Sequence, residues 1–289
     1  MFAILGASGK IGRATIEKLR AQGAPVRAVL RESSNKADLE ALGCEIAFAD
    51  LHDTDAIRNA IIGANVVQVI CPPNNRAKDA AADMANIMDA ITAALMAVHP
   101  ERVLAISDYG AHVDSGTGIT MAFHYMETRL STVPGAHIFL RSAEHMQNWG
   151  RVFKPALETG MLPSFHHPVS KIFPTISAPD LGVIAAEFLL QMPVGASPQI
   201  VHAEGPRRYS AVDVAASLSE VSGRQIVAKE IPESEWIPAL TRAGAGESYA
   251  NLIRELYVAH NAGLIDVEPG GEVRLGTTGL GEAFRALLG

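Results

Sequence analysis

Three glycines, Gly6, Gly9 and Gly12, recur at G-x-x-G-x-x-G spacing in the stretch Gly6-Ala7-Ser8-Gly9-Lys10-Ile11-Gly12. The residues before it, Phe2–Leu5, read as a short apolar strand, and residues 10–22 after it place Ile11, Ala14, Thr15, Ile16 and Leu19 at roughly helical spacing. A chain that turns at once from strand to helix needs a residue free to take a positive φ. A second glycine lets the main chain approach a diphosphate, and a third lets the helix lie close to the sheet. The helix start then offers unpaired N–H groups and the positive end of its dipole to an anion. In this strand-turn-helix context the spacing predicts a bound dinucleotide.

The end of the second strand, residues 25–30, selects between dinucleotides. An acid there would bond the adenosine ribose hydroxyls. Arg31 stands there instead, nineteen positions after Gly12. A guanidinium grips a phosphate with two parallel bonds, and Lys10 adds a second positive charge. NADP(H) is therefore the preferred cofactor, while Glu32 next door keeps NAD(H) open. Asp50-Leu51 follows the third strand, residues 45–49; the aspartate could accept from the adenine amino group and the leucine pack on the ring, or both could simply form a turn. Cys71-Pro72-Pro73 ends the fourth strand, residues 66–70, and should flank the cofactor, because ligands of open α/β sheets bind at the carboxyl ends of the strands.

Further along, Tyr125 and Arg129 are four residues apart and share a helix face, and Ser107 ends a fifth strand. These groups need a frame. Strands at 25–30, 45–49, 66–70, 102–106 and 136–140 alternate with helices at 35–42 (capped by Ser34), 54–62 (capped by Asp53), 76–98 and 120–130. Repeated βαβ units predict an α/β fold, a Rossmann doubly wound parallel sheet with helices on both faces. After Arg141 helical segments dominate. Residues 1–141 are expected to form the dinucleotide-binding domain, and residues 142–289 a smaller α+β substrate-binding lobe on the sheet edge. Some of its segments return to that edge, and its elements look too short and scattered to bury a core of their own.

The chain has 289 residues, 48 % of them apolar, which suits a buried core. A net charge of −7 without a basic cluster argues against nucleic acid as a direct partner. Two cysteines, Cys44 and Cys71, show no C-x-x-C spacing and suit a reducing compartment. No signal peptide precedes the glycine turn and no apolar run approaches a membrane span, so a cytoplasmic protein without membrane attachment is expected. His166-His167 is the one adjacent histidine pair and lacks a carboxylate pattern, so no metal site is expected. The absence of G-x-S-x-G argues against a serine hydrolase.

Read together, the glycine turn, Asp50-Leu51, Ser107-Asp108-Tyr109-Gly110-Ala111, His124-Tyr125-Met126-Glu127, Ile138-Phe139-Leu140-Arg141, His145-Met146-Gln147-Asn148, Ile176–Gly182 and Glu204-Gly205-Pro206 resemble the NmrA-like family of atypical short-chain dehydrogenase/reductases. The resemblance covers nearly the whole chain. It implies bound NADP(H) or NAD(H), and either a reductase of quinones, azo dyes or plant phenolics or a redox sensor that regulates a partner without turnover. The Tyr-x-x-x-Lys pair of the wider superfamily is here Tyr125-Met126-Glu127-Thr128-Arg129. Arg129 could supply the positive charge but stays charged and cannot relay a proton. His124 falls near the position of the basic lysine of the phenolic-ether reductases.

Two functions remain open on this reading. One is NADPH-dependent reduction of a small flat acceptor such as a quinone, with Tyr125, Arg129 and Ser107 as catalytic candidates and Tyr109, Asn148, Trp149, Phe153, Phe165 and His166 as candidate walls. The other is a non-catalytic sensor of NADP(H). A small-molecule acceptor is the expected partner; a homo-oligomer or a protein partner stays open.

Overall fold

Strand and helix alternate from the first residues of the computed structural model, which describes residues 1–191 and 197–289 and only the backbone of Ser34. The cap expected from the Ser34 side chain lies outside the described residues. The first half runs β1 (Phe2–Leu5), α1 (Lys10–Ala21), β2 (Val26–Leu30), α2 (Lys36–Ala41), β3 (Glu45–Phe48), α3 (Thr54–Ile61), β4 (Val66–Val69), α4 (Ala80–Val98), β5 (Arg102–Asp108), α5 (Thr120–Leu130) and β6 (Ala136–Ser142). The second half runs β7 (Glu144–His145), α6 (Gly150–Thr159), β8 (Met161–Ser164), β9 (Thr175–Ile176), α7 (Ala178–Leu190), β10 (Gln199–Glu204), α8 (Ala211–Ser222), β11 (Val227–Glu230), α9 (Trp236–Arg242), α10 (Glu247–Ala262), β12 (Glu272–Leu275) and α11 (Leu280–Leu288).

Eight strands form one sheet in the order β12-β10-β6-β5-β4-β1-β2-β3. Every pairing in it is parallel. The order reverses between β1 and β4, and that reversal opens a crevice at the carboxyl ends of the two strands. Helices cover both faces, so the central strands are apolar on both sides rather than alternating. On one face, Ile16 and Leu19 of α1 pack with Leu181, Ile184 and Leu189 of α7. On the other, Ile57 and Ile61 of α3 meet Met84, Ile87, Met88, Ile91 and Leu95 of α4 and Met126 and Leu130 of α5.

Two side-chain caps set helix starts, one where the sequence places it and one where it does not. The Asp53 carboxylate accepts from the amides of Asp55 and Ala56 and begins α3. Asp79 accepts from the Ala82 amide, so α4 starts at Ala80 rather than near residue 76. α4 also corrects the reading that no apolar run approaches a membrane span. An 18-residue stretch of its 19 residues has a mean hydropathy of 1.3, long and apolar enough by composition, yet it lies on the sheet with Met84, Ile91 and Leu95 at most 1 % exposed.

The second half does more than cover an edge. β10 and β12 extend the main sheet. A third cluster, including Trp149, Phe153, Leu162, Val214, Leu218 and Phe284, is drawn wholly from residues 146–284. These elements do bury a core of their own; α6, α8 and α11 supply it jointly, which their separation along the chain conceals.

Two close approaches fix the frame around the crevice. A Cβ at Gly182 would lie 2.4 Å from the Ile11 carbonyl oxygen and 2.7 Å from the Ala14 Cβ, so α7 sits on α1 at a distance only glycine permits. Thr15 of α1 seals that contact by donating to the Gly182 carbonyl at 3.1 Å. α10 crosses the carboxyl-end loops of β4 and β5. The Gly246 amide donates to the Asn75 carbonyl at 2.7 Å, the Ser248 hydroxyl accepts from the Ala80 amide, and the Ile119 amide donates to the Leu252 carbonyl. At its far end Asn261 donates to the Phe165 carbonyl, tying in the loop after β8.

Candidate active site

The glycine turn sits at the carboxyl end of β1, beside the crevice. Gly6 has φ +71, the left-handed conformation that resists a side chain. A Cβ on Gly12 would lie 2.4 Å from the Gly6 carbonyl oxygen, so the helix can start this close to the turn only because Gly12 has none. Ala7 is buried, whereas Ser8, Gly9 and Lys10 are exposed. Gly9 precedes α1 in an extended conformation and no side chain caps the helix. The first intrahelical bond runs from the Arg13 amide to the Gly9 carbonyl, leaving the amides of Lys10, Ile11 and Gly12 in the opening turn. An uncapped helix start behind an exposed turn fits a diphosphate.

Arg31 immediately follows β2 and is exposed, as are Glu32 and Lys10. Neither Arg31 nor Lys10 forms a salt bridge among the described residues. Asp50 lies close enough to Arg31 for the cation to help lower its pKa, but the larger causes are hydrogen bonds from the amide and ring of His52. His52 was not picked out from the sequence. Its ring bridges Asp50 at 3.2 Å and Asp83 of α4 at 3.0 Å, and the Asp83 bond above all raises its pKa. Leu51 packs partly buried against the α3–α4 face. Pro72 and Pro73 are exposed at the end of β4, but the Cys71 side chain is not in the cleft. It is 4 % exposed within the core, burial pushes its thiol up to about 12, and only its main chain can reach a cofactor.

At the carboxyl end of β5 the sequence-predicted group separates. Ser107 is 2 % exposed and donates to Glu127 at 2.6 Å. Arg141 of β6 holds the same carboxylate through two bonds, 2.9 Å from Nε and 2.7 Å from a terminal nitrogen, and also pairs with Glu268. Tyr125 and Arg129 do meet, but through Asp89 of α4. The phenol donates to Asp89 at 2.8 Å and the Arg129 Nε at 2.7 Å. The hydrogen bond to Asp89 is the main reason the Tyr125 pKa is raised, opposite to the shift a proton-exchanging phenol needs. One α5 face thus serves α4 and another serves the sheet end.

The residues on that second face are Thr120, His124 and Glu127. Thr120 donates to Asp108 Oδ2 at 2.7 Å, and the His124 Nδ1 lies 2.9 Å from the Ala111 carbonyl. Asp108 is the last residue of β5 and partly buried. Burial raises its pKa to about 7; bonds from Thr120 and the Tyr109 amide work the other way, and the charges of Glu144 and Glu127 add to the rise.

The second lobe brings a further polar cluster to this end of the sheet. Glu144 of β7 accepts from the Tyr257 hydroxyl of α10 at 2.9 Å and lies 2.9 Å from the His166 Nε2. Burial works to raise the Glu144 pKa, but His166, His260 and Tyr257 outweigh it and the result is lowered. Burial holds His145 and His260 neutral, each with a pKa near 4. Of the candidate walls, Tyr109, Trp149, Phe153 and His166 are at most 5 % exposed and fill the interior; Asn148 and Phe165 keep some surface. His166 stacks on Phe173 at 3.6 Å between ring centroids, and His167 turns to the Ile231 carbonyl. Spacing alone does not mark Asp108 or Glu144, because Thr120, His166 and Tyr257, the partners that define them, lie 12, 22 and 113 positions further along the chain.

Residues 6–131 match the NAD(P)H-binding family. The NAD(P)H azoreductase of Xenophilus azovorans is 25 % identical over 274 residues, covering 93 % of this chain and 92 % of that protein. Quinone oxidoreductase 2 of Escherichia coli K12 is 24 % identical, covering 92 % of this chain and 90 % of that protein. The triphenylmethane reductase of Citrobacter sp., solved in complex with NADP(H), shares the fold with a TM-score of 0.80 at 19 % identity over 99 % of both chains.

Proposed function

We propose that this chain, whose residues 6–131 match the NAD(P)H-binding family, reduces a small, flat, electron-poor acceptor such as a quinone or an azo compound, with NADPH as reductant. The observation that carries this reading is the uncapped, glycine-built start of α1, opening onto the crevice where the sheet order reverses. Two full-length relatives that act on such acceptors, an azoreductase and a quinone oxidoreductase, support it.

Gly6, Ala7, Ser8, Gly9, Ile11 and Gly12 would hold the diphosphate through main-chain amides. Arg31 and Lys10 would grip the 2′-phosphate, with Asp50 and Leu51 at the adenine and the main chain of Cys71-Pro72-Pro73 along the nicotinamide side. Bound there, the nicotinamide supplies a hydride. The protein's own part is to place a flat acceptor over the ends of β4 and β5, to limit water beneath α10, and to hold a proton where the acceptor's oxygen or nitrogen comes to lie. Residues 1–141 would carry the nucleotide and residues 142–289 the acceptor side.

A second reading, a sensor that binds NADP(H) and acts on a protein partner, is favoured by the engagement of Tyr125 and Arg129 with Asp89. A spectrophotometric panel separates the two. NADPH oxidation that depends on added quinones or azo compounds is expected; saturable nucleotide binding with no oxidation on any acceptor would support the sensor.

A further inference from the structure

We propose that Asp108, at the carboxyl end of β5, is the proton donor to the acceptor in place of Tyr125. The inference rests on the reductase reading above and adds a residue to it. Three placements lead to it.

First, the two hydroxyls expected from sequence are occupied elsewhere. Ser107 gives its hydroxyl to the buried Glu127, and Tyr125 gives its phenol to Asp89 on the α4 side. Second, Asp108 is the terminal residue of β5, in register with Ser142 at the end of β6 and one strand from β4, so it stands at the rim that the glycine turn also faces. It keeps some exposure there while α5 closes over its other side. Third, burial above all, and the acidic groups around it to a lesser degree, favour the protonated form. Glu144 on β7 and Glu127 on α5 are both acidic, and Arg141 on β6 is already committed to Glu127 and Glu268. Against them stand the Thr120 hydroxyl and the Tyr109 amide. His124, the other titratable side chain on this face of α5, has its Nδ1 on the Ala111 carbonyl.

The carboxyl of Asp108 is therefore neutral over much of the range where an ordinary aspartate is charged, with a midpoint near 7. In the step, the acceptor gains one hydride, which carries two electrons, and one proton. The Asp108 O–H bond breaks as the O–H or N–H bond of the reduced acceptor forms, the two electrons come from the reduced nicotinamide, and solvent returns a proton to the carboxylate. A donor of this kind is active only while protonated, so the rate should fall as pH rises through about 7.

The test pairs a titration with a rate profile. In nucleotide-free protein carrying carbon-13-labelled aspartate, the carboxyl resonance lost in Asp108→Asn should titrate near pH 7; titration in the ordinary aspartate range overturns the proposal. In quinone turnover with NADPH, Asp108→Asn should lower kcat by roughly 10²-fold or more and abolish the descending limb near pH 7, with nucleotide affinity unchanged. Thr120→Val removes a bond that favours the carboxylate, so both the limb and the resonance midpoint should move to higher pH. A limb that survives in Asp108→Asn and disappears in His124→Gln assigns the proton to His124 and overturns the proposal. Absence of turnover by the wild-type protein on every acceptor overturns the reductase reading itself, and the donor role with it.

Discussion

Arg31 stands exposed just past β2, within electrostatic reach of Asp50, where a ribose phosphate would lie. A charge-assisted bond of this kind contributes about 1.5–3 kcal/mol. Arg31→Asp should therefore weaken NADPH binding by roughly ten- to a hundredfold and leave NADH nearly unchanged; equal loss for both nucleotides in a fluorescence titration would remove Arg31 from the phosphate site. Tyr125 sits in a different position. Its hydroxyl bridges two helices, so Tyr125→Phe should cost about 0.5–1.5 kcal/mol of stability and leave kcat with NADPH unchanged. A fall in kcat without a fall in stability would return the phenol to the chemistry. Sequence placed Tyr125 and Arg129 together correctly. It could not show that Asp89, nearly forty positions earlier, takes both.

At the scale of elements, β1, the glycine turn and α1 were legible because every feature that shapes them is contiguous. The positive φ, the missing Cβ and the amphipathic spacing all fall within twenty-one residues. The contact of α7 with α1 was not legible, because Gly182 looks like any glycine in a helical stretch until its Cβ is built against Ile11 and Ala14. Gly182→Ala sets two effects against each other. Alanine favours the helix by about 1 kcal/mol, while overpacking costs about 1–3 kcal/mol. The crowding atoms include the Ile11 carbonyl and the Thr15 amide, which are main chain and cannot swing aside. The crowding should win, lowering the urea midpoint and, through the displaced α1, weakening NADPH binding. A raised midpoint would show that the helices separate without cost. The core shared by α6, α8 and α11 escaped the sequence for a related reason: each helix offers only part of an apolar face, and the parts meet from positions far apart in the chain.

Over the whole molecule, the pH dependence of stability follows from groups clustered at one end of the sheet. His145 and His260 titrate near 4 in the folded protein against an ordinary value of 6.5. Between those limits the unfolded chain binds more protons, so their contribution is complete above about pH 6.5 and is lost as pH falls towards 4. Asp108 has the opposite sign. Its folded pKa near 7 exceeds the ordinary 3.8, so its contribution is complete below 3.8 and is lost as pH rises through 7. Two groups outweigh one, and Glu144, Asp50 and Asp266, all lowered, act in the same direction as the histidines at the acid end. Calorimetric Tm should rise from pH 4 to about 6.5, and Asp108→Asn should steepen that rise. A flat or falling profile would show that the cluster is not buried as described.

The most direct single measurement is a calorimetric titration of the purified protein with NADPH. A saturable heat with one nucleotide per chain is expected, because the amides at the start of α1 await a diphosphate. No heat from NADPH at concentrations far above the millimolar range would contradict a dinucleotide site at Gly6–Gly12.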